Sequence, residues 1–459
     1  MQLADIKTVY FIGIGGIGMS ALARYFKRRG LSVSGYDRTE TPLTRALVEE
    51  GIPVHYEARP EAIPPAGPDT LVVYTPAVPA KFPEMLKVTE GGYSVLKRAQ
   101  VLGLISRGMQ CVGIAGTHGK TTTTTITTHL MKTAGLEPSA FLGGIARDFA
   151  GNYVHGASDW VVVEADEYDR SFLNLNPEIA VILSVDPDHL DIYGDHGQML
   201  ETGFRAYAQR VQPGGRLLVR HDVVHHFEGL ENVHAQTFGV GAGDYCAQNV
   251  HVRDGAFHFD LRDPLGHVIK DIRTALPGRH NVENAVAACA VTLLAGGTED
   301  ALRKGLASFR GIARRFETVL RSDKIVIVDD YAHHPTELEA AIGAARELYP
   351  GKTIRGVFQP HLFSRTKDFA AGFALALDEL DEAILIPIYP AREEPLPGVS
   401  SQLIYDKMRL TNRRLLSDEQ MLEATAELSD GVLLLLGAGD IDALVPKIVD
   451  QHQKPVQHG

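Results

Sequence analysis

Short apolar runs alternate with helix-like stretches from one end of this chain to the other, and most of the runs end at a glycine or polar cluster. Residues 9–12, 110–115 and 325–328 are three such runs, and each contains both Val and Ile. Strands that alternate with helices in this way are typical of βαβ units, whose parallel sheets are covered by helices. The predicted fold class is therefore α/β.

The alternation separates into three blocks. A chain of 459 residues is also long enough for about three domains of ordinary size. One boundary is predicted just before the apolar run that starts at Gln110, and another at the Gly311-Ile312 turn. The predicted domains are residues 1–106, 107–312 and 313–459. Irregular β structure is expected at residues 214–272, within the second of them.

Composition restricts the partners of this protein. It has 45 Lys+Arg and 57 Asp+Glu, and so carries a net charge of −12. That balance argues against general binding to nucleic acid or to a membrane surface, although phosphate ligands need only local donors. The three cysteines are isolated, which is typical of a reducing compartment, and no apolar run reaches the ~18 residues of a membrane span. We therefore expect a cytoplasmic protein.

The first glycine cluster follows the run at 9–12. Gly13, Gly15 and Gly18 match the G-x-G-x-x-G pattern, and Asp37 lies 19 residues beyond Gly18. In dinucleotide-binding folds such glycines admit a diphosphate to a helix N-terminus, and the acid binds a ribose hydroxyl. Taken alone, the pattern favours NAD. Two alternatives stay open: a glycine turn needed only for close packing, and a loop for the diphosphate of another nucleotide.

A second loop follows the run at 110–115 and precedes a Thr-rich stretch. Its backbone amides are expected to hold phosphates, Lys120 to neutralise them, and the Thr121 hydroxyl to reach Mg²⁺. Ile114 stands where the strict P-loop pattern has its first glycine. The prediction is ATP binding, with a Gly/Thr-rich helix cap as the alternative. The loop residues are Gly116, Thr117, His118, Gly119, Lys120, Thr121 and Thr122.

Two acidic clusters end the next two apolar runs. Glu164 comes about forty residues after the second loop, where a carboxylate commonly serves Mg²⁺ because hard cations favour oxygen ligands. The cluster at 186–191 contains His189. Its imidazole could be a metal ligand, a base or a structural histidine, and imidazole is a less usual ligand for Mg²⁺.

Three further segments contain residues with either a local or a catalytic explanation. Asn284, in the segment 279–284, could pair with an adenine edge, but helix capping is the simpler explanation. Arg315 could be solvated surface or could reach a γ-phosphate. Pro335 suits a first helical turn, yet two histidines beside two aspartates at 329–334 are harder to explain by capping.

Taken in order, eight motifs resemble the Mur ligases of peptidoglycan synthesis. They run from Gly13 to Arg365 and so cover nearly the whole chain. Together they are highly specific, although none is decisive alone. The motifs are GIGGIGMSALAR, AGTHGKTTTT, EADE, DPDHLD, GRHNVENA, RRF, DDYAHHPTE and FQPH.

The resemblance implies a Rossmann-like first domain for a UDP-sugar, a P-loop-type central domain with added β structure for ATP, and a Rossmann-like last domain for an amino acid. The implied UDP-sugar residues are Gly13, Gly15, Gly16, Ile17, Gly18, Asp37 and Thr75. The implied ATP residues are the second loop from Gly116 to Thr122 together with His280, Asn281, Asn284, Arg315 and Asp330. The implied amino-acid residues are Tyr331, His333, His361 and Arg365.

The resemblance also implies a metal site and a catalytic set. Thr121, Glu164 and His189 would hold Mg²⁺, or Mn²⁺ in its place. The implied catalytic residues are Lys120, Glu164, His189, Arg315 and His333. Several relatives use a carbamylated lysine for a second metal. This chain has no lysine between Lys132 and Lys270, so no lysine there can fill that role, as the resemblance to the alanine-adding members implies.

Two smaller departures from the family pattern concern basic residues. Arg147 stands where a lysine often follows the Gly-Gly of the substrate loop. After His361 come Leu362 and Phe363 rather than a basic pair, which leaves Arg365 as the nearby cation.

The implied activity is ATP-dependent ligation of L-alanine to UDP-N-acetylmuramate through an acyl phosphate. His333 or His361 is the candidate base that deprotonates the amine. The expected partners are these two substrates, and the expected state is a monomer or a homodimer. The alternatives are a ligase of the same family that recycles a murein tripeptide, an NAD-dependent oxidoreductase, and a non-catalytic nucleotide-binding switch.

Overall fold

The structure is a computed structural model that describes residues 3–188, 190–231, 233–391 and 393–453. Its strands form three sheets of five, ten and six strands, each with helices, so the predicted three-domain α/β fold is confirmed. By packing, the described chain divides into two compact units. The first is residues 1–248, 260–272 and 283–310, and the second is residues 249–259, 273–282 and 311–459.

The five-stranded sheet has the order β3-β2-β1-β4-β5, and its paired strands are parallel. The central strand β1 is buried along four of its five residues, as expected for a parallel strand covered on both faces. The strands are β1 Thr8–Ile12, β2 Ser32–Tyr36, β3 Val54–His55, β4 Thr70–Tyr74 and β5 Ser94–Lys97. The helices are α1 Ile17–Arg28, α2 Pro42–Glu49, α3 Pro83–Glu90 and α4 Arg98–Ser106.

The ten-stranded sheet has the order β15-β14-β13-β12-β11-β10-β6-β9-β7-β8. Strand β6 lies between β10 and β9 and is parallel to both, so the loop after β6 leaves from the middle of the sheet. The strands are β6 Gln110–Ala115, β7 Ser139–Ala146, β8 Gly151–Val154, β9 Trp160–Ala165, β10 Ile179–Ile182, β11 Arg216–Arg220, β12 Ala235–Val240, β13 Tyr245–Arg253, β14 Ala256–Arg262 and β15 Val268–Thr274. The α-helices are α5 Lys120–Thr133, α6 Leu190–Tyr193, α7 His196–Met199, α8 Ala206–Ala208, α9 Arg279–Leu294 and α10 Glu299–Ser308.

The six-stranded sheet has the order β16-β17-β21-β18-β19-β20, with β16 antiparallel at one edge. The parallel strands β17, β21 and β18 form its buried centre. The strands are β16 Glu317–Arg321, β17 Ile325–Asp330, β18 Ile354–Phe358, β19 Glu382–Leu385, β20 Arg413–Leu415 and β21 Gly431–Leu436. The helices are α11 Pro335–Leu348, α12 Phe363–Leu377, α13 Gln402–Tyr405, α14 Asp418–Ala426 and α15 Val445–Gln453.

The predicted strands recur within one or two residues of their expected places, and Pro335 does begin α11. Residues 214–272, expected to be irregular β structure, contain five strands of the ten-stranded sheet. The boundaries at 106/107 and 312/313 stay predictions. Among the described residues, no helix is both long and apolar enough to cross a bilayer.

Candidate active site

The first glycine loop connects β1 to α1 and is closed by Asp37. Gly13 has a φ of +88°, and a Cβ placed there would lie 2.6 Å from the Thr75 side chain. The Asp37 carboxylate accepts a hydrogen bond from the Gly15 amide at 2.7 Å. Asp37 and Thr75 therefore contact the loop, and only glycine fits at Gly13.

The second loop connects β6 to α5 and also depends on glycine. Gly116 has a φ of +144° and Gly119 a φ of +81°. The Ser184 hydroxyl accepts a hydrogen bond from the His118 amide at 2.8 Å and lies 2.9 Å from the Thr117 hydroxyl. Ser184 follows β10, the neighbour of β6, so it supports the loop from the adjacent strand end. No sequence motif marks Ser184, so it was not among the predicted site residues.

The Lys120 ammonium lies inside this loop. It donates to the Gly116 carbonyl at 2.6 Å and to both carboxylate oxygens of Glu167 at 2.8 Å each. Burial by itself would lower the pKa of Lys120, but Glu167, Asp166 and Glu164 outweigh it and raise that pKa. Lys120 is therefore a charged group at neutral pH. Glu167 belongs to the EADE cluster, which contained the signal, but only Glu164 was predicted from it.

Glu164 is positioned beside Thr121. One Glu164 oxygen accepts from the Gly143 amide at 2.6 Å, and the other accepts from the Thr121 hydroxyl at 3.3 Å. Burial raises the pKa of this carboxyl, while the Gly143 hydrogen bond and Lys120 oppose that rise.

These two oxygen donors fit the predicted magnesium site. Mg²⁺ prefers hard oxygen ligands and usually keeps water or substrate phosphate oxygens in its shell. The third predicted ligand, His189, lies outside the described residues. Among the described residues, no group of three His, Cys, Asp or Glu side chains could hold a metal ion by itself. A cation at Thr121 and Glu164 would therefore need ligands from elsewhere.

A cavity of about 300 Å³ joins the first glycine loop to Glu164. Its walls include Gly18, Gly143 and Glu164. Arg98 also lines it and forms an ion pair with Asp166 at 3.4 Å. The first glycine loop and Glu164, which contacts Thr121 of the second loop, thus open to one shared space.

Asn284 packs against the second loop. Its side-chain oxygen accepts from the Thr123 hydroxyl at 3.1 Å, and a Cβ on Gly119 would lie 2.6 Å from that oxygen. Asn281, in contrast, donates its side-chain amide to the Pro277 carbonyl at 2.7 Å and so holds the turn before α9. Burial lowers the pKa of the neighbouring His280 to about 4, so this imidazole is neutral at pH 7.

In the second unit, Asp330 is held by backbone amides at the end of β17. Its two oxygens accept from the amides of Phe316 at 2.6 Å and Ala332 at 2.8 Å. Burial raises its pKa to about 6 although Arg315 and these two amides lower it. The Arg315 guanidinium lies over the Tyr331 ring at 5.0 Å from the ring centre.

Tyr331, His333 and His361 form an aromatic cluster near the ends of β17 and β18. The ring centres of Tyr331 and His333 are 5.3 Å apart, and those of His333 and His361 are 5.9 Å apart. Tyr389, which was not among the predicted site residues, stacks on His361 with ring centres 5.8 Å apart. Nδ1 of His333 lies 2.9 Å from the Tyr331 carbonyl and 3.1 Å from Glu337. Arg365 lies in the first turn of α12.

Comparison with known proteins follows the same three-part order. The family model described as "Mur ligase family, catalytic domain" matches residues 8–110, "Mur ligase middle domain" matches residues 114–292, and "Mur ligase, glutamate ligase domain" matches residues 314–441.

Curated relatives match along almost their whole length. The UDP-N-acetylmuramate–L-alanine ligase of Phocaeicola vulgatus is 46% identical over 453 residues, 98% of either chain. The protein of that name from Porphyromonas gingivalis is 48% identical over 448 residues, which covers 96% of this chain and 98% of the relative.

Solved structures show the same architecture. The UDP-N-acetylmuramate–alanine ligase of Thermotoga maritima superposes with a TM-score of 0.81 at 28% identity, covering 97% of this chain and 99% of the other. The murein peptide ligase of Psychrobacter arcticus superposes with a TM-score of 0.71 at 20% identity, covering 98% of this chain and 99% of the other. It shares the fold. With ordered matches in all three parts and near-complete coverage of its relatives, this chain belongs to the Mur ligase family.

Proposed function

We propose that this protein is an ATP-dependent ligase that joins L-alanine to UDP-N-acetylmuramate in peptidoglycan precursor synthesis. The curated relatives that share 44–48% of its residues are named for this activity. The observation that carries the proposal is the shared cavity. Both the first glycine loop and Glu164, which lies beside the second loop, line it. A reaction between a sugar carboxylate and ATP needs such a space.

The first step is a phosphoryl transfer. The lactyl carboxylate oxygen attacks the γ-phosphorus of ATP, the bond from that phosphorus to the ADP oxygen breaks, and ADP is released from the phosphoryl group. The product is an acyl phosphate. Phosphoryl transfer depends on positioning and charge neutralisation more than on covalent help from the protein. Lys120 supplies charge in the second loop, and Arg315 is proposed to do so at the terminal phosphates.

The second step forms the amide. The neutral amine of L-alanine attacks the acyl carbon, the carbon–oxygen bond to phosphate breaks, and inorganic phosphate leaves with the proton that the nitrogen loses as it becomes an amide. The ammonium form must first lose a proton, for which His333 or His361 is proposed as base. Tyr331 and Arg365 are proposed to complete the pocket for the amino acid.

The other residues are proposed to bind rather than react. The loop from Gly13 to Gly18 would hold the UDP diphosphate, with Asp37 and Thr75 beside it. Asn284, with His280 and Asn281, would meet the adenine, and Asp330 the ribose. Thr121 and Glu164, with His189, would hold Mg²⁺ or Mn²⁺, which when bound would neutralise phosphate charge. We place the reaction in the cytoplasm, where these phosphorylated substrates occur, and expect a monomer or homodimer.

The decisive experiment measures phosphate release with ATP, UDP-N-acetylmuramate and L-alanine, omitting each in turn. Release that requires all three supports the proposal. Release with the murein tripeptide but not with free L-alanine would assign the protein to the recycling branch of the family. ATP binding without alanine-stimulated hydrolysis would indicate a nucleotide-binding switch, and NADH binding that UDP-N-acetylmuramate does not displace would favour the oxidoreductase.

A further inference from the structure

The Lys120 ammonium is saturated by the protein itself. A lysine ammonium has three N–H donors. Three acceptor oxygens lie within 2.6–2.8 Å of it: the Gly116 carbonyl and both oxygens of Glu167. A nucleotide phosphate can therefore gain a hydrogen bond from Lys120 only if one of these oxygens gives its place up.

Glu167 is held firmly in place. Its side chain is 1% exposed, and its backbone carbonyl accepts a hydrogen bond from the buried Tyr193 hydroxyl at 2.6 Å. The same carbonyl accepts from the Arg170 amide at 3.0 Å, and the Arg170 guanidinium lies over the Tyr193 ring. The two residues that follow Tyr168 both have positive φ angles, 51° and 52°, so this turn has a constrained shape. Glu167 is thus a fixed counter-ion and not a mobile surface carboxylate.

The two glutamates of the EADE cluster have separate partners. Glu164 contacts Thr121 and the Gly143 amide, whereas Glu167 contacts Lys120. A role at the metal for Glu164 therefore leaves Glu167 without an assigned function. Burial raises the pKa of the Glu167 carboxyl although Lys120 lowers it, and Glu167 in turn raises the pKa of Lys120, so within the pair each group favours the charged form of the other.

We propose that Glu167 is a positioning residue that holds Lys120 in the nucleotide-free enzyme. In this role, which rests on the proposed ATP site, the Glu167 carboxylate competes with the β- and γ-phosphates for the Lys120 ammonium. Charge-assisted hydrogen bonds are about twice as strong as neutral ones. Removing the Glu167 charge weakens the competitor and leaves Lys120 more available to phosphate. The affinity for a nucleotide that carries a β-phosphate should then increase.

The test compares the full-length wild type with Glu167→Gln by isothermal titration calorimetry, using ADP and AMP as probes. We expect the Kd of ADP to fall about fivefold in Glu167→Gln, a difference of about 1 kcal/mol. AMP lacks the β- and γ-phosphates, so its Kd should stay within about twofold of the wild-type value, since it gains nothing from a released Lys120. Glu167→Ala removes both acceptor oxygens, should act in the same direction, and serves if Glu167→Gln does not fold.

Two further variants separate competition from general electrostatics. Glu167→Asp keeps the negative charge, so it should bind ADP no more tightly than the wild type. Asp166→Asn removes a charge one residue away, from a carboxylate paired with Arg98, and should tighten ADP binding less than Glu167→Gln does.

Four other outcomes would overturn the proposed role of Glu167. Unchanged or weaker ADP binding in Glu167→Gln, or an equal change for ADP and AMP, would overturn the competition by Glu167. An Asp166→Asn effect as large as that of Glu167→Gln would also overturn it, since any nearby charge would then suffice. A wild-type protein that binds neither ADP nor AMP would contradict the proposed function itself, and the role of Glu167 would fall with it.

Discussion

Charged side chains in the interior of this protein are held in place by particular partners, and their chemistry depends on those partners. Lys120 stays charged because Glu167 and neighbouring acids offset its burial. Asp330 has both oxygens bonded to backbone amides, whereas one oxygen of its neighbour Asp329 has no hydrogen-bond partner among the described residues. Adjacent residues of one type can thus have different environments.

Replacing Lys120 with Ala should remove the central cation of the second loop. We expect alanine-dependent ADP release to fall by on the order of a hundredfold or more, as when one preorganised donor to developing charge is lost. The assay is coupled ADP release with all three substrates. Lys132→Ala is the matched control, because Lys132 lies in the last turn of the same helix and pairs with Glu137. Turnover of Lys120→Ala at the control rate would contradict the scheme.

Asp329 should make stability depend on pH. Burial raises its pKa to about 7, although Arg314 lowers it, so the folded state binds its proton more tightly than the unfolded chain does. The unfolded chain loses this proton near pH 4, whereas the folded protein keeps it until about pH 7. The free energy of unfolding therefore falls as the pH rises from about 4 through about 7. Asp329→Asn avoids this ionisation, and we expect it to stabilise the protein relative to wild type at pH 8 by on the order of 1 kcal/mol, and less at pH 5.

The measurement for Asp329 is thermal unfolding of wild type and variant at pH 5 and pH 8. Asp323→Asn serves as the control, because Asp323 is an exposed aspartate in the same region of the chain. A difference between Asp329→Asn and wild type that is the same at both pH values would show that burial does not shift the titration of this group.

At the next scale, strand–loop–helix elements present the ligand-binding groups. In both loops a buried parallel strand leads through glycine with a positive φ into a helix: Gly13 in the first loop, and Gly116 and Gly119 in the second. The open N-terminal turn of each helix offers amide donors that favour phosphate. The element therefore fixes where an anion binds, and side chains such as Asp37 and Ser184 determine the shape of each loop.

Gly13→Ala tests the first of these elements. The new Cβ would meet the Thr75 side chain at 2.6 Å and would also be strained by the φ of +88°. We expect KM for UDP-N-acetylmuramate to rise by about tenfold or more, equivalent to about 1.4 kcal/mol of lost binding. Gly30→Ala is matched in backbone strain, with a φ of +82°, but nothing lies within 4 Å of its Cβ. That control should lose stability and keep its KM, and an equal rise in both variants would refute the specific clash.

At the scale of the whole molecule, each ligand is expected to act through its own loop. Ligands that bind only the folded state stabilise it by about 2.7 kcal/mol at a hundred times their Kd. ADP and UDP-N-acetylmuramate should therefore each raise the unfolding temperature of the wild type. Lys120→Ala should lose the shift with ADP and keep that with UDP-N-acetylmuramate. Gly13→Ala should keep the shift with ADP and show a smaller shift with UDP-N-acetylmuramate, because its affinity for that ligand is expected to be about tenfold weaker.

Differential scanning calorimetry of the three proteins with each ligand measures these shifts. If both variants lose both shifts, the substitutions disturb the fold and the two loops are not separate binding elements. If neither ligand shifts the wild type, the assignment of the loops to these ligands is wrong.

The amino-acid sequence by itself determined the α/β class, the approximate places of the central strands, and membership of the Mur ligase family. These depend on local patterns: apolar runs of strand length, glycines before helices, and motifs in a fixed order. The short edge strands β3, β5, β16 and β20 were not predicted, because few residues and partial burial leave little pattern.

Only the tertiary structure decided which side chains meet. The pairs Lys120–Glu167, Asn284–Thr123 and His361–Tyr389 join residues that lie 47, 161 and 28 positions apart. No local spacing encodes such contacts, since they arise where separate strands end at the same edge of a sheet or where two helices pack together, as α5 and α9 do at Thr123 and Asn284. The EADE motif indicated an acidic site. The packing of β9 against β6 and β7 then placed Glu164 beside Thr121 and Glu167 in contact with Lys120.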